Sequence, residues 1–457
     1  MTPEPLSLSP EEIRRLGYRV VDELVDHVAG IRERAPMPRS TIDELLERLG
    51  EPPPERPSDP DGVLATAIEI VREHSAHLDH PRNFARVPSP SNPVAALGSM
   101  LATAMNAGAM SGMAHPGPTA IELLVLRWLA ELLGLPPETE GVLVTGGSVS
   151  SLTALAAARH ALLGGPDPRA VAYISDQTHV SIARALRILG FAEDRIRVVQ
   201  SDADFRMPVQ GLATAIAEDR ASGLRPFCVV ATAGTTNIGA VDPLIEISDI
   251  AREHEMWMHV DGAFGGPAAL TTPGRALLAG IERADSLALD PHKWLFAPFE
   301  TGALLVTHPG ALKAMFAVSP EYLRESSGPV NFRDRGPQLS RSPRALKLWM
   351  TFKTFGFAQI RDAIERGIEL AELAEETLRA TPGWEVVTPA QLAVVTFAHE
   401  RVPASELMRL ASDDGYCTPS TTVLRGRSVM RLCMINPRTT DAEVVETIER
   451  LTALAAR

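Results

Sequence analysis

The chain has 457 residues, 45% of them hydrophobic and 22% charged, which is typical of a globular protein and excludes a disordered or fibrous one. Its formal net charge of −13 argues against a nucleic-acid partner and against an anionic membrane surface. There is neither a run of 18 apolar residues nor a signal peptide, so we expect a cytoplasmic protein without a membrane span.

The first 80 residues predict three amphipathic helices joined by proline-rich connectors. The first helix follows Ser9, an N-cap candidate with Glu12 three residues later, and the others lie near 41–49 and 62–77. These helices hold too little apolar mass for a core of their own. We therefore expect residues 1–80 to be a dimerisation segment that packs on a second subunit.

The centre of the chain alternates short apolar runs with helical stretches. Strands are predicted at 142–145, 170–174, 197–200, 227–231, 257–261, 286–289 and 303–307. This alternation predicts an α/β domain over residues 81–345, built on a mainly parallel seven-stranded sheet with flanking helices. Residues 346–457 are predicted to form a bridging helix, interrupted near Gly356, and a small α+β domain. The three cysteines are widely spaced, which predicts buried thiols and no metal site.

Candidate functional residues follow four of the predicted strands. Gly147 and Ser148 form a tight turn at a helix start, which suits a phosphate group but also an ordinary helix cap. His179 follows the second strand, where an imidazole can stack on a ring or simply begin the next helix. Because ligands of such sheets bind at the carboxyl ends of the strands, these residues belong to one edge.

Asp261 and Lys293 end two later strands. A carboxylate at a buried strand end is costly unless a cation or strong donor faces it, and a protonated pyridine nitrogen is one such partner. A basic side chain or a turn is the alternative partner for Asp261, and small Ala263 leaves room for a flat ring. Burial of the Lys293 amine favours its neutral, nucleophilic form, as a Schiff-base lysine requires, although a lysine that reaches the surface fits the same pattern.

Four motifs in this order resemble the pyridoxal-phosphate-dependent amino-acid decarboxylases of fold type I, the group with aromatic-L-amino-acid, histidine and glutamate decarboxylases. The motifs are Asp-Pro-His-Lys-Trp at 290–294, His-Val-Asp-Gly-Ala at 259–263, Ser-Asp-Gln-Thr-His at 175–179 and Gly-Thr-Thr at 234–236. The resemblance implies the cofactor pyridoxal 5′-phosphate. The residue roles it implies are a cofactor Schiff base on Lys293, an Asp261 contact to the pyridine nitrogen, a stacked His179, a phosphate site of Gly147, Ser148 and His292, and Thr236 near the ring.

The resemblance also implies a homodimer with shared active sites and a mobile loop with a tyrosine. Ser-Pro-Glu-Tyr-Leu at 319–323 matches that loop, so Tyr322 is expected to protonate the carbon from which CO2 departs. The loop and the region of Met110 are expected to come from the neighbouring subunit.

Two departures from the family pattern bear on the substrate and on the phosphate. The substrate segment contains Phe84, Arg86, Val87 and Pro88, with Arg86 and Val87 where the aromatic enzymes tend to have Tyr and Phe. Arg86 could accept an acidic side chain or serve the dimer interface. Asp290 stands where aromatic decarboxylases usually have Asn, and a carboxylate there would repel a phosphate unless it faces a cation or a donor.

The expected function is decarboxylation of an L-amino acid to its amine, with the aromatic class favoured. A decarboxylase for a polar or acidic amino acid, an aldehyde synthase and an aminotransferase are the enzymatic alternatives. A dimeric binding protein that keeps the fold is the non-enzymatic one. Tyr322 favours simple decarboxylation, and the joint presence of Lys293 and Asp261 favours an enzyme.

Overall fold

The structure is a computed structural model, and it describes residues 5–318 and 330–457. Its helices are α1 Pro10–Gly30, α2 Ile42–Leu49, α3 Pro60–Glu73, α4 Pro93–Ala104, α5 Pro116–Leu132, α6 Gly147–Leu163, α7 Val180–Ile188, α8 Val209–Ala221, α9 Leu244–Glu253, α10 Thr272–Leu277, α11 Ala311–Phe316, α12 Ala345–Ala380, α13 Ala404–Asp414 and α14 Asp441–Ala455. Its strands are β1 Glu140–Val144, β2 Ala170–Ser175, β3 Ile196–Val199, β4 Arg225–Thr232, β5 Trp257–Asp261, β6 Ser286–Leu289, β7 Gly302–Val306, β8 Trp384–Gln391, β9 Val394–His399, β10 Ser420–Leu424 and β11 Arg427–Cys433.

Among the described residues, β1 to β7 form one sheet in the order β1-β7-β6-β5-β4-β2-β3. The strands from β2 to β6 pair in parallel, whereas β7 runs antiparallel to both of its neighbours. It follows that β1 runs in the same direction as β6. The carboxyl ends of six strands therefore meet at one edge, and the predicted mainly parallel seven-stranded sheet with flanking helices is confirmed.

The central strands are apolar along their whole length because helices cover both faces of the sheet. Every residue of β2, β5 and β6 is buried. The bounds of β5 and β6 coincide with those predicted from the sequence, and the other five strands differ from prediction by one or two residues at one or both ends. An apolar run between turn residues is thus sufficient to locate these strands.

The N-terminal helices have the predicted order and capping. The Ser9 hydroxyl accepts a hydrogen bond from the backbone N–H of Glu12, and the Glu12 carboxylate accepts one from the backbone N–H of Ser9; this reciprocal cap begins α1. α3 begins at Pro60 and ends at Glu73, four residues before the predicted end. Each helix leaves apolar side chains exposed in the single chain, for example Val25, Ile42 and Val71.

The C-terminal region is the predicted α+β unit. α12 is broken at Gly356, whose φ of 69° and ψ of 159° are not helical, as the sequence indicates. β8 to β11 form an antiparallel sheet in the order β10-β11-β9-β8. Cys228, Cys417 and Cys433 are buried free thiols, as predicted. The division of the chain at residues 80 and 345 stays a prediction.

Within residues 5–318 and 330–457, none of the helices combines the length and apolar character needed to cross a lipid bilayer. The cytoplasmic location stays a prediction from the sequence.

Candidate active site

A cavity of about 420 Å³ lies at the carboxyl ends of the strands of the large sheet. Its lining includes the predicted residues Gly147, Ser148, His179, Thr236, Asp261, Ala263, His292 and Lys293. These residues come from five separate segments of the chain, and the parallel strands bring them together at the sheet edge. Ser181, Phe299 and Glu300 also belong to the described lining, and the sequence did not predict them.

The turn between β1 and α6 is shaped by its two glycines. A Cβ atom on Gly147 would lie 3.0 Å from both the Asp290 Oδ2 and the Ala263 Cβ atoms, so a larger residue would collide with the cavity floor. Gly146 is the N-cap of α6 and makes no side-chain cap hydrogen bond. The N-terminus of this 17-residue helix, beside the Ser148 hydroxyl, is therefore a suitable place for an anion.

His179 is the N-cap of α7, and its ring lies in the cavity lining. Its Nδ1 atom accepts from the backbone N–H of Ser181 at 3.3 Å and lies 2.8 Å from the Ser181 hydroxyl. Burial lowers the pKa of His179 below its ordinary value, with Asp261 acting in the opposite direction. A neutral ring held by Ser181 has a fixed orientation, so both interpretations of His179, the helix start and the flat stacking surface, agree with the structure.

Asp261 is the last residue of β5, and its residue surface is only 7% exposed. Its Oδ1 atom accepts from the backbone N–H of Ala263 at 3.2 Å. No ion pair to Asp261 occurs in the part of the chain that the structure describes, although the carboxylate lines the cavity. A buried carboxylate that faces a cavity in this way is suited to a cationic N–H group of a ligand.

The turn that contains Thr236 follows β4 and requires a glycine. Gly234 has a φ of 99°, and a Cβ atom there would lie 2.9 Å from the Gly265 Cα atom. The turn is closed by hydrogen bonds between Thr235 N and Ala240 O and between Gly239 N and Thr235 O, each 2.8 Å long. These hydrogen bonds fix the turn that places Thr236 in the cavity lining.

Lys293 ends the turn that follows β6, and its amine meets a carboxylate. The Nζ atom lies 3.0 Å from the Asp290 Oδ2 atom, and the lysine side chain is 25% exposed to the cavity. Asp290 thus faces a cation, and a cation or a hydrogen-bond donor is the partner that a carboxylate beside a phosphate needs. The sequence also allows a Lys293 side chain that reaches the outer surface. The structure differs from that alternative, because Lys293 lines the cavity.

His292, which precedes Lys293, lines the same cavity. Its Nδ1 atom lies 2.8 Å from the carbonyl oxygen of Thr301, so Nδ1–H donates and Nε2 points towards Asp290, 3.6 Å from Oδ2. Burial lowers the pKa of His292, and Asp290 partly offsets this. The ring also contacts the Phe299 ring, with a centroid separation of 4.6 Å.

The predicted substrate segment lies beside the site, but its four named side chains are not in the described lining of this cavity. Phe84 is buried in the core and pairs through its backbone with Thr418 and Cys433. Arg86 is exposed, and the structure gives no contact of its guanidinium with Lys293 or Asp261. The substrate roles of Phe84, Arg86, Val87 and Pro88 therefore stay predictions.

Two polar contacts nevertheless attach this segment to the lysine turn. The Ser89 hydroxyl donates to the carbonyl oxygen of His292, and the Asn92 amide donates to that of Phe296 at 2.8 Å. A buried arginine, Arg431, donates to the carbonyl oxygens of Arg86 and Asn237. Pro88 therefore directly precedes a residue, Ser89, that contacts the turn that carries Lys293.

Tyr322 lies outside the described residues. Its expected role in protonation stays a prediction.

The cavity fits pyridoxal 5′-phosphate in three respects. It has an amine that can hold an aldehyde, a carboxylate at a strand end that can receive a ring N–H, and a glycine turn at a helix start that can receive a phosphate. The glycines are needed because a Cβ atom on Gly147 would fill the space between the turn and Ala263. This fold and this set of side chains define an enzyme of fold type I that uses pyridoxal phosphate.

The chain belongs to the pyridoxal-dependent decarboxylase family, because residues 44–400 match the family model described as the pyridoxal-dependent decarboxylase conserved domain. It is therefore a carboxy-lyase that uses pyridoxal 5′-phosphate. The family predicted from the four motifs is confirmed.

Individual relatives match the chain over nearly its whole length. An aromatic-L-amino-acid decarboxylase of Bacillus atrophaeus is 42% identical and is matched over 99% of this chain and 97% of its own. The crystal structure of Oryza sativa TDC with PLP and tryptamine is 29% identical, has a TM-score of 0.93 and is matched over 100% of this chain and 99% of its own. A Rhodiola rosea 4-hydroxyphenylacetaldehyde synthase is 27% identical with a TM-score of 0.91, over 98% of this chain and 99% of its own.

Proposed function

We propose that this chain is an aromatic-L-amino-acid decarboxylase, which converts its substrate into the amine and CO2. The observation that carries the proposal is the convergence of Lys293, Asp261 and His179 with the Gly147–Ser148 turn on one cavity. The 42% identity to the Bacillus atrophaeus decarboxylase over nearly the full length supports the substrate class.

Each side chain of the cavity has a proposed task. Lys293 holds the cofactor, and Asp261 receives the N–H of its pyridine ring at the end of β5. The His179 imidazole, oriented by Ser181, would stack on the ring, and small Ala263 would leave room for it. Gly147, Ser148 and His292 surround the phosphate. When it is bound, the cofactor supplies a ring that accepts the electrons released with CO2.

The charge on Asp261 is central to this arrangement. A carboxylate in a buried position stabilises a positively charged ring nitrogen far more strongly than it would in water. It needs no reorganisation during the reaction because the Ala263 N–H already holds one of its oxygens. Asp261 thus keeps the ring in the form that accepts electrons.

The proton that the product carbon receives is proposed to come from Tyr322. The chain has four tyrosines, and the other three have different positions. Tyr173 donates to buried Asp219 at 2.8 Å, Tyr416 donates to Glu446 at 2.7 Å, and Tyr18 lies exposed on α1. Tyr322 is therefore the tyrosine whose sequence context assigns it to the site.

A homodimer is part of the proposal. Apolar side chains are exposed on α1, α2 and α3, and again on α4 and the segment after it, where Met100, Leu101, Met105 and Met113 lie. A second copy of the chain would remove this surface from water. The region of Met110 and the loop with Tyr322 are proposed to complete the cavity of the neighbouring subunit. Sedimentation velocity at micromolar concentration tests this, and a monomer would contradict it.

The alternative product is an aldehyde. The similarity to the Rhodiola rosea 4-hydroxyphenylacetaldehyde synthase supports an aldehyde product, whereas Tyr322 supports the amine. An acidic substrate gains no support from the described cavity, since Arg86 is exposed and absent from its described lining.

A panel of the standard L-amino acids tests the proposal, with detection of amine, aldehyde and CO2 for each. We expect tryptophan, tyrosine or phenylalanine to give equal amounts of amine and CO2. Turnover of glutamate or aspartate in preference to these would contradict the substrate class, and aldehyde in place of amine would contradict the product.

A further inference from the structure

Asp290 reaches the same glycines that form the proposed phosphate site. A Cβ atom on Gly147 would lie 3.0 Å from Asp290 Oδ2, and one on Gly146 would lie 3.7 Å from Asp290 Oδ1. The Asp290 side chain is only 4% exposed, so water does not screen its charge. A phosphate held at the start of α6 therefore meets a carboxylate at close range.

The two oxygens of Asp290 are in different situations. Oδ2 pairs with Lys293 Nζ at 3.0 Å and lies 3.6 Å from His292 Nε2. Oδ1 is buried and has no hydrogen-bond partner within the described part of the chain. A buried carboxylate oxygen without a donor is unfavourable, so Oδ1 points to a ligand that brings a hydrogen.

The charged groups that face this position do not favour a second anion. Asp261 at the end of β5 adds a second carboxylate to the described lining, against the single ammonium of Lys293. Glu300 in the loop before β7 adds a third carboxylate, which is half-exposed and pairs with Arg344 at 3.2 Å. Desolvation lowers the pKa of two imidazoles, those of His179 at the start of α7 and of buried His292 on the same turn as Asp290, and favours the neutral form of each. A phosphate with two negative charges would thus enter a site that is already negative.

We propose that the phosphate group of the cofactor binds at this turn together with one proton, which lies between Asp290 Oδ1 and a phosphate oxygen. Both atoms are acceptors, and two acceptors in contact need a hydrogen between them. An asparagine at this position would supply the hydrogen from its own amide, whereas an aspartate must take a proton from solvent. The inference rests on the proposed phosphate position at Gly147 and Ser148.

One measurable consequence is a pH-dependent affinity. The second ionisation of a phosphate monoester lies near pH 6. Above that pH the proton must be taken up on binding, so the affinity falls about tenfold for each pH unit. The same dependence is absent when position 290 carries a neutral donor.

The experiment uses pyridoxine 5′-phosphate, which has no aldehyde and so cannot react with Lys293. Titration calorimetry of the full-length, cofactor-free protein at pH 8, in two buffers with different ionisation enthalpies, gives the number of protons bound. We expect about one proton more than for pyridoxine, which lacks the phosphate. The variants Asp290→Asn and Asp290→Ser should remove this extra proton and flatten the pH dependence of the affinity.

Glu300→Gln is the matched control, because it removes a carboxylate from the same cavity lining but leaves Asp290 in place. It should retain the extra proton. The inference would be overturned if the wild type and both Asp290 variants bound the same number of protons with pyridoxine 5′-phosphate. If neither variant folds, the wild type alone decides: equal numbers of protons bound with pyridoxine 5′-phosphate and with pyridoxine would overturn the inference. Binding without the extra proton overturns this inference alone, whereas a failure of pyridoxine 5′-phosphate to bind would overturn the phosphate site as well.

Discussion

Arg341 and Glu122 form an ion pair in the interior of the protein. The Arg341 Nη2 atom donates to Glu122 Oε1 over 2.6 Å, and the two side chains are 1% and 0% exposed. Glu122 Oε1 also accepts from the backbone N–H of Leu143 at 2.9 Å, and Arg341 donates to the carbonyl oxygens of Ala109 and Leu143. The pair thereby connects α5, β1, the segment near Met110 and the segment that precedes α12.

Removal of one partner of this pair is expected to destabilise the protein. In Glu122→Gln the buried guanidinium keeps its positive charge and loses its counter-ion, which costs about 3–5 kcal/mol. Urea denaturation at fixed protein concentration measures the change. The control is Glu193→Gln, which breaks the exposed pair with Arg187 and should leave the midpoint nearly unchanged. Equal effects of the two substitutions would contradict this account.

Buried His259 predicts a loss of stability in acid. Its ring nitrogens lie 2.9 Å from the Ser286 hydroxyl and 3.1 Å from the Ser151 hydroxyl, and burial lowers its pKa to about 4. Below pH 6.5 the unfolded chain binds a proton that the folded chain does not, so the stability present above pH 6.5 is lost as the pH falls towards 4. His80, whose pKa burial also lowers to about 4, contributes in the same direction.

The variant His259→Gln isolates this contribution. Between pH 7.5 and 5 it should lose about 2 kcal/mol less of its unfolding free energy than the wild type does. His308→Gln is the control with the opposite sign, because the hydrogen bond that the His308 ring donates to the Asp285 carboxylate raises the pKa of His308. If the unfolding free energy of the wild type and of His259→Gln fell equally with pH, His259 would not contribute to the loss of stability in acid.

Local patterns in the sequence were enough to predict the sheet edge. β5 and β6 end where an apolar run meets Asp261 and Asp290, and the break at Gly356 is visible because a lone glycine interrupts a helical pattern. A residue that directly follows a buried parallel strand must lie at the carboxyl edge of the sheet. For this reason the sequence alone predicts that Lys293, Asp261 and the Gly147 turn lie at this edge.

Contacts between distant segments could not be predicted in this way. Arg431 binds the carbonyl oxygen of Arg86, 345 positions away, and no local pattern indicates that contact. The approach of Asp290 to Gly147 depends on the place of β7 between β1 and β6, a strand order that hydrophobic periodicity does not determine. Phe299 and Glu300 enter the cavity lining from a loop whose sequence gives no functional signal.

Asp261→Asn tests the carboxylate at the end of β5. The amide has nearly the same shape, so the fold should remain, but it cannot stabilise a positively charged ring nitrogen. We expect kcat to fall by about 100-fold or more, the size of a lost electrostatic stabiliser. Asp249→Asn, at an exposed pair with Arg283, is the control and should keep kcat. A kcat for Asp261→Asn near that of the control would refute the role of Asp261.

Tyr322→Phe tests the proton donor. Without the hydroxyl, the carbon that has lost CO2 is protonated slowly, so amine formation should fall by about 100-fold or more. Carbonyl by-products should rise when oxygen is present, and chromatography of both products gives the ratio. Tyr18→Phe, on the exposed side of α1, serves as the control. Unchanged amine output from Tyr322→Phe would remove Tyr322 from the mechanism.

The central claim is that Lys293 holds the cofactor, and the chain allows a direct test because it has only four lysines, Lys293, Lys313, Lys347 and Lys353. Lys347 is the strongest competitor, since burial lowers its pKa to about 8 and so favours a reactive amine. Its Nζ atom, however, lies 3.3 Å from the carbonyl oxygen of Pro298 and outside the described cavity lining.

The measurement is borohydride reduction of the enzyme loaded with pyridoxal 5′-phosphate, followed by mass spectrometry of its peptides. We predict that the reduced cofactor is attached to Lys293, and that Lys347→Arg and Lys353→Arg retain the attachment whereas Lys293→Arg loses it. Attachment to Lys347, or a Lys293→Arg variant that still binds the cofactor covalently, would contradict the account.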